Sequence, residues 1–133
     1  MNRRRSVIVA VIAMLECMAA FPAHSDAGEA GAIRGVWTGP WYLGMTSGVA
    51  RLTVSGDGRL DGTLKMSNNE RFGEEAVGLA GVAFVDGRLS FRAIGADGKP
   101  LIAQLPLAAD GAALKGFAKY GGYNIRFEFM RLK

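Results

Sequence analysis

The chain has 133 residues, half of them apolar, with 16 Lys and Arg against 12 Asp and Glu, one Cys and one His. That length suits one domain around one core. Cys17 and His24 both lie in the first 25 residues, so residues 26–133 have no means to build a Ser-His-Asp triad, a Cys nucleophile or an ordinary zinc site.

Arg3, Arg4 and Arg5 precede a mostly apolar run from Ser6 to Phe21, and Ala23-His24-Ser25 places small residues where a signal peptidase needs them. This predicts a cleavable signal peptide over residues 1–25, with the bond after Ala27 as an alternative cut, and a periplasmic or secreted product. An apolar stretch of about 15 residues interrupted by Glu16 is short for a membrane span. Arg4-Arg5-Ser6-Val7-Ile8 resembles a loose twin-arginine signal, and an ordinary Sec leader with a basic start explains it as well. Glu16 stands where a lipobox requires a small residue, which argues against lipidation of Cys17. The leader carries three of the 16 basic and one of the 12 acidic residues. Only a small positive excess remains, which offers no electrostatic case for nucleic acid. Without cysteine, stability in an oxidising envelope must come from burial and strand pairing.

Residues 26–32, rich in Gly and Ala, read as a flexible lead-in, and residues 33–133 as a single β domain. Asp57-Gly58, Asp86-Gly87, Asp97-Gly98 and Asp110-Gly111 supply turns at hairpin spacing. Between them the pattern predicts eight strands, at 33–42, 48–54, 59–66, 75–84, 88–94, 101–107, 112–120 and 123–132. Period-2 alternation sorts their faces. Leu60, Gly62, Leu64 and Met66 oppose Arg59, Asp61, Thr63 and Lys65; Leu89, Phe91 and Ala93 oppose Arg88, Ser90 and Arg92; Tyr123, Ile125, Phe127 and Phe129 oppose Asn124, Arg126 and Glu128. The triplet Leu-x-Gly recurs at Leu60, Leu79 and Leu114, and Gly62, Gly81 and Gly116 read as inward-pointing barrel corners. The expected fold is all-β, an eight-stranded antiparallel meander barrel, because closure removes exposed edges. A two-sheet sandwich is the rival. A transmembrane barrel would need an apolar outer band, and Arg51, Arg59, Asp61, Lys65, Arg92 and Lys115 occupy that face.

Gly35-Val36-Trp37 in the first strand resembles the Gly-x-Trp signature of the calycins, the lipocalin and avidin-like barrels. The resemblance implies that Trp37 caps the closed end and that a basic side chain from the last strand, Arg131, packs across it. It spans residues 33–133 in strand order only. The chain is shorter than a lipocalin, lacks the helix after the barrel, and has only Trp37 and Trp41, so biotin binding does not carry over.

In a meander the turns alternate between ends. The turns at Asp57, Asp86 and Asp110 should share the closed end with both termini. The opposite end should gather residues 43–47, the long loop 67–74, the turn at 95–99 and Gly121-Gly122. Loops on a rigid scaffold carry function, and an aromatic rim with a few polar groups suits binding. The candidate ligand-binding residues are therefore Trp41, Tyr42, Met45, Asn69, Arg71, Phe72, Tyr120 and Tyr123. A small apolar ligand or lipid moiety at this mouth is one expectation; an envelope protein held by loop 67–74 is the other. The inward residues should nearly fill an eight-stranded barrel. No catalytic residues, cofactor or metal are expected. Glu70, Glu74 and Glu75 read as solvated loop charges rather than a glycosidase pair, and the turn aspartates lack EF-hand spacing.

Overall fold

The computed structural model describes residues 27–132; the expected signal peptide, with its cleavage site after Ser25, lies outside the described residues. A short helix, α1 (Ala27–Ile33), leads into β1 (Gly35–Leu43), β2 (Thr46–Ser55), β3 (Asp61–Met66), β4 (Val77–Gly78), β5 (Ala80–Val85), β6 (Arg88–Ile94), β7 (Pro100–Pro106), β8 (Ala113–Tyr120) and β9 (Tyr123–Arg131). The strands form one antiparallel sheet in the order β4-β3-β2-β1-β9-β8-β7-β6-β5. The first and last long strands pair at its centre, with Trp37 opposite Arg131 and Trp41 opposite Phe127.

The two edges, β4 and β5, are consecutive in the chain and separated only by Leu79. The backbone itself therefore bridges the seam, and the sheet is a nearly closed barrel. This corrects the expected eight strands to nine. The predicted strand at 75–84 is broken because its first half pairs with β3, through Leu64↔Val77, and its second half with β6, through Phe84↔Leu89. One straight strand cannot serve both neighbours across a narrow seam. The break falls at Leu79, and just beyond it β5 shifts register against β6 between Ala80 and Ala83, with Gly81 at φ +61, a conformation costly for any residue with a Cβ. Gly81 accordingly lies exposed beside the Arg92 guanidinium rather than pointing inward. Gly62 does sit at a tight corner, where a Cβ would fall 2.3 Å from the Thr53 carbonyl oxygen.

The four Asp-Gly turns differ. Only Asp86-Gly87 has positive φ at both residues, 54° and 75°, and joins the directly paired Val85 and Arg88. That is the two-residue hairpin whose twist matches its strands. At Asp97 and Asp110 the carboxylate instead accepts a backbone N–H two residues on, from Lys99 at 3.1 Å and Ala112 at 3.0 Å, an Asx turn.

Burial follows the alternation. β3 reads exposed-buried through all six residues, and Leu52, Leu64, Leu89, Leu101, Leu105, Leu114, Ile125, Phe127 and Phe129 are wholly buried. Phe127 and Phe129 stack with centroids 5.0 Å apart. The interior is a packed core.

One end is shut. Where a flexible lead-in was expected, α1 folds over the barrel and buries Ala30 and Ile33. Seven residues including two glycines would not hold a helix alone; burial against the barrel supplies what propensity lacks. Trp37 Nε1 donates to the Ile33 carbonyl at 2.9 Å. The Arg131 guanidinium lies 4.2 Å above the Trp37 ring and donates to the carbonyls of Ala32, Arg34 and Gly111.

Candidate functional site

The other end is organised by the 67–74 loop, which is laid across the mouth rather than held out in solvent. Its first residue is hydrogen-bonded twice to β2: Ser67 N donates to the Val49 carbonyl at 2.8 Å, and Ser67 Oγ accepts from Val49 N at 2.9 Å. The Ser67 carbonyl also accepts from Trp41 Nε1 at 2.9 Å. Asn68 Nδ2 donates to the Ser47 carbonyl at 2.8 Å. Further along, Ala96 N and Asp97 N donate to the carbonyls of Phe72 and Arg71, both at 2.9 Å. The loop is thus stitched to two hairpin turns, from opposite sides of the barrel.

These stitches decide the role of each expected site residue. Phe72 is wholly buried and meets the buried Tyr120 edge-on, with centroids 5.8 Å apart. It plugs the barrel and offers a ligand nothing. Asn69, also buried, accepts the Phe72 N–H through its side-chain oxygen at 3.1 Å, satisfying a donor that would otherwise be orphaned in the plug. Tyr42 lies on the outer surface, under the Arg126 guanidinium at 4.4 Å. Met45, at the tip of the β1–β2 turn, is fully exposed and away from the rest.

The remaining candidates converge. Trp41, Asn69, Arg71, Tyr120 and Tyr123 line a cleft of about 430 Å³ together with Leu43, Thr46, Asn68 and Glu70. Tyr123 is half exposed, and the Arg71 guanidinium lies 5.9 Å from its ring centre. Leu43 was detectable in the sequence, since it shares the inward parity of Trp37 and Trp41. Asn68 and Glu70 are neighbours of Asn69 in the loop, and nothing in their pattern marks which way they face.

Beneath the cleft, Tyr120 donates its hydroxyl to an Asp97 carboxylate oxygen at 2.6 Å. Burial, then the hydrogen bond and negative charge of Asp97, push the Tyr120 phenol well above its ordinary value. The same hydrogen bond holds the Asp97 carboxyl below the usual range. A phenol pushed upward stays protonated at neutral pH and acts as a fixed donor, the reverse of what a general base requires.

Among the described residues no group of three or more His, Cys, Asp or Glu side chains converges, and no helix is long and apolar enough to cross a membrane. In comparison with known proteins, the chain matches no family model and no curated relative.

Proposed function

We propose that the protein is a non-catalytic, exported binding barrel of calycin-like build that holds a small ligand with an apolar body in the rim cleft. The carrying observation is the wall of that cleft: Leu43 and Tyr123 supply accessible apolar surface beside the buried rings of Trp41 and Tyr120, and Arg71, Glu70, Asn68 and Thr46 supply polar groups at the edge. Its size falls in the lower part of the range typical of small-molecule sites, roughly 300–1,000 Å³. The packed interior and the Phe72 plug restrict a ligand to the rim, so only one end of an acyl chain or comparable group would be covered. Arg71 beside an apolar wall favours a ligand with an acidic head, such as a fatty acid.

The test is a titration of intrinsic Trp fluorescence with decanoate. Trp41 should report binding, and Arg71→Ala should weaken it by about tenfold, the size expected for one charge-assisted contact. An unchanged spectrum at millimolar decanoate counts against the proposal.

The reading as an envelope protein-interaction module rests on the same loop. Phe72 is unavailable to a partner, which leaves Arg71, Glu70 and Tyr123 as its contact surface.

A further inference from the structure

The outer face of β6–β9 carries apolar side chains among its cations, with Ile94 on β6 and Met130 on β9 about half exposed at its margins. Ile102 on β7 and Phe117 on β8 point away from the core, 50% and 62% exposed. Ile102 pairs with Arg92 on one side and Lys119 on the other. Phe117 pairs with Gln104 and Arg126, and Lys115 and Lys119 flank it two positions away on its own strand. Cross-strand neighbours lie about 5 Å apart and diagonal ones about 7–8 Å, so the two apolar side chains sit inside a frame of cations. A shallow groove of about 330 Å³ runs between them, lined also by Gln104, Lys119 and Asn124. Arg88 extends the basic surface along β6. The outward acid on these four strands is Glu128, partly buried and ion-paired with Arg126 at 2.9 Å. Five cations, Arg88, Arg92, Lys115, Lys119 and Arg126, lie on this wall, and among the described residues Arg126 is the one of them paired with an acid.

We propose that this wall docks the protein on an anionic lipid bilayer surface. Cations held near such a surface are attracted to its headgroup charge, and exposed Phe and Ile side chains gain by entering the boundary of the acyl region. A bilayer asks for no shape complementarity, which suits a sparse diagonal row of apolar side chains, Ile94, Ile102 and Phe117, in a basic surround. A protein interface favours an apolar centre depleted of charge, whereas here Arg92, Lys115, Lys119 and Arg126 stand between and around the apolar side chains. Single-stranded nucleic acid needs a series of stacking rings, and Phe117 is the one ring at this groove. This surface is separate from the rim cleft, and its test does not depend on the proposed ligand.

The native tryptophans, Trp37 and Trp41, are buried, so Phe117→Trp in the full chain introduces a reporter at the contact. With vesicles of equimolar phosphatidylcholine and phosphatidylglycerol its emission should shift to shorter wavelength, with no shift on phosphatidylcholine alone. Adding Lys115→Glu and Lys119→Glu should weaken vesicle binding by at least about tenfold, given the attraction expected per cation. Absence of a shift on anionic vesicles, an equal shift on neutral ones, or a shift retained in the charge-reversed variant would each overturn the proposal. A response to oligothymidylate as strong as that to vesicles would overturn it in favour of nucleic acid.

Discussion

Arg131 lies 4.2 Å above the ring of Trp37 and, from the same guanidinium, donates to the carbonyls of Ala32, Arg34 and Gly111. One side chain near the end of the chain thereby ties down the helix–strand junction, the cap and the β7–β8 turn. Arg131→Ala removes a cation–π contact and several hydrogen bonds. We expect it to cost about 2–3 kcal/mol. Arg131→Lys keeps the charge but loses the planar fork and should recover less than half of that. Urea denaturation of both variants measures the difference.

Phe72→Ala tests whether the 67–74 loop is a plug or an ordinary connection. A wholly buried Phe should cost about 3–5 kcal/mol on truncation to Ala, whereas a surface loop Phe would cost almost nothing. Thermal unfolding separates the two outcomes. Arg71→Ala, exposed and outside the core, should leave stability within about 0.5 kcal/mol.

Much of this arrangement was legible in the sequence. Strand faces were readable because the buried residues of β3, β6 and β9 recur strictly every second position. The Trp37–Arg131 cap was implied by the resemblance of Gly35-Val36-Trp37 to the calycin signature, and the inward parity of Arg131 agreed with it. Tyr42 was grouped with the mouth residues although, one residue past Trp41, its parity faces it outward. The split of β4 from β5 was not, because residues 75–84 carry small side chains on both faces and their break answers a demand made by distant neighbours. Nor was the fate of Phe72, since a lone apolar residue in a polar loop can turn either way until the loop's carbonyls find their donors. Helix α1 was hidden by its glycines, whose unfavourable propensity is overridden by the burial of Ala30 and Ile33.

The Tyr120–Asp97 hydrogen bond makes stability depend on pH at both extremes. The Tyr120 phenol titrates higher in the folded state than its ordinary value near 10. Above that value the unfolded chain has released a proton the folded chain still holds, so stability falls as pH rises beyond about 10. Asp97 titrates lower when folded, so its contribution is present above the usual carboxylate range and is lost as pH falls through and below about 4. Tyr120→Phe should flatten the alkaline decline relative to the parent chain. Urea midpoints across a pH series give the comparison, and parallel curves would refute the assignment.

Gly48 makes room for the mouth's central hydrogen bond. A Cβ there would lie 2.4 Å from the Ser67 carbonyl oxygen and 2.6 Å from Trp41 Nε1. Gly48→Ala should therefore force Trp41 and the loop apart, at a cost of about 1–3 kcal/mol typical of overpacking. A change in Trp fluorescence should accompany the loss, because the Trp41 indole exchanges its partner for water.

Ligand entering the rim cleft should leave the packed interior and the opposite cap untouched. The two indole N–H groups sit at the two ends, Trp41 bonded to the Ser67 carbonyl at the mouth and Trp37 to the Ile33 carbonyl under the cap. A 15N–1H correlation spectrum resolves them as separate signals during a decanoate titration. Binding at the rim predicts a saturable shift of the Trp41 indole with the Trp37 indole unmoved; a shift at Trp37 alone, or at neither, would contradict it.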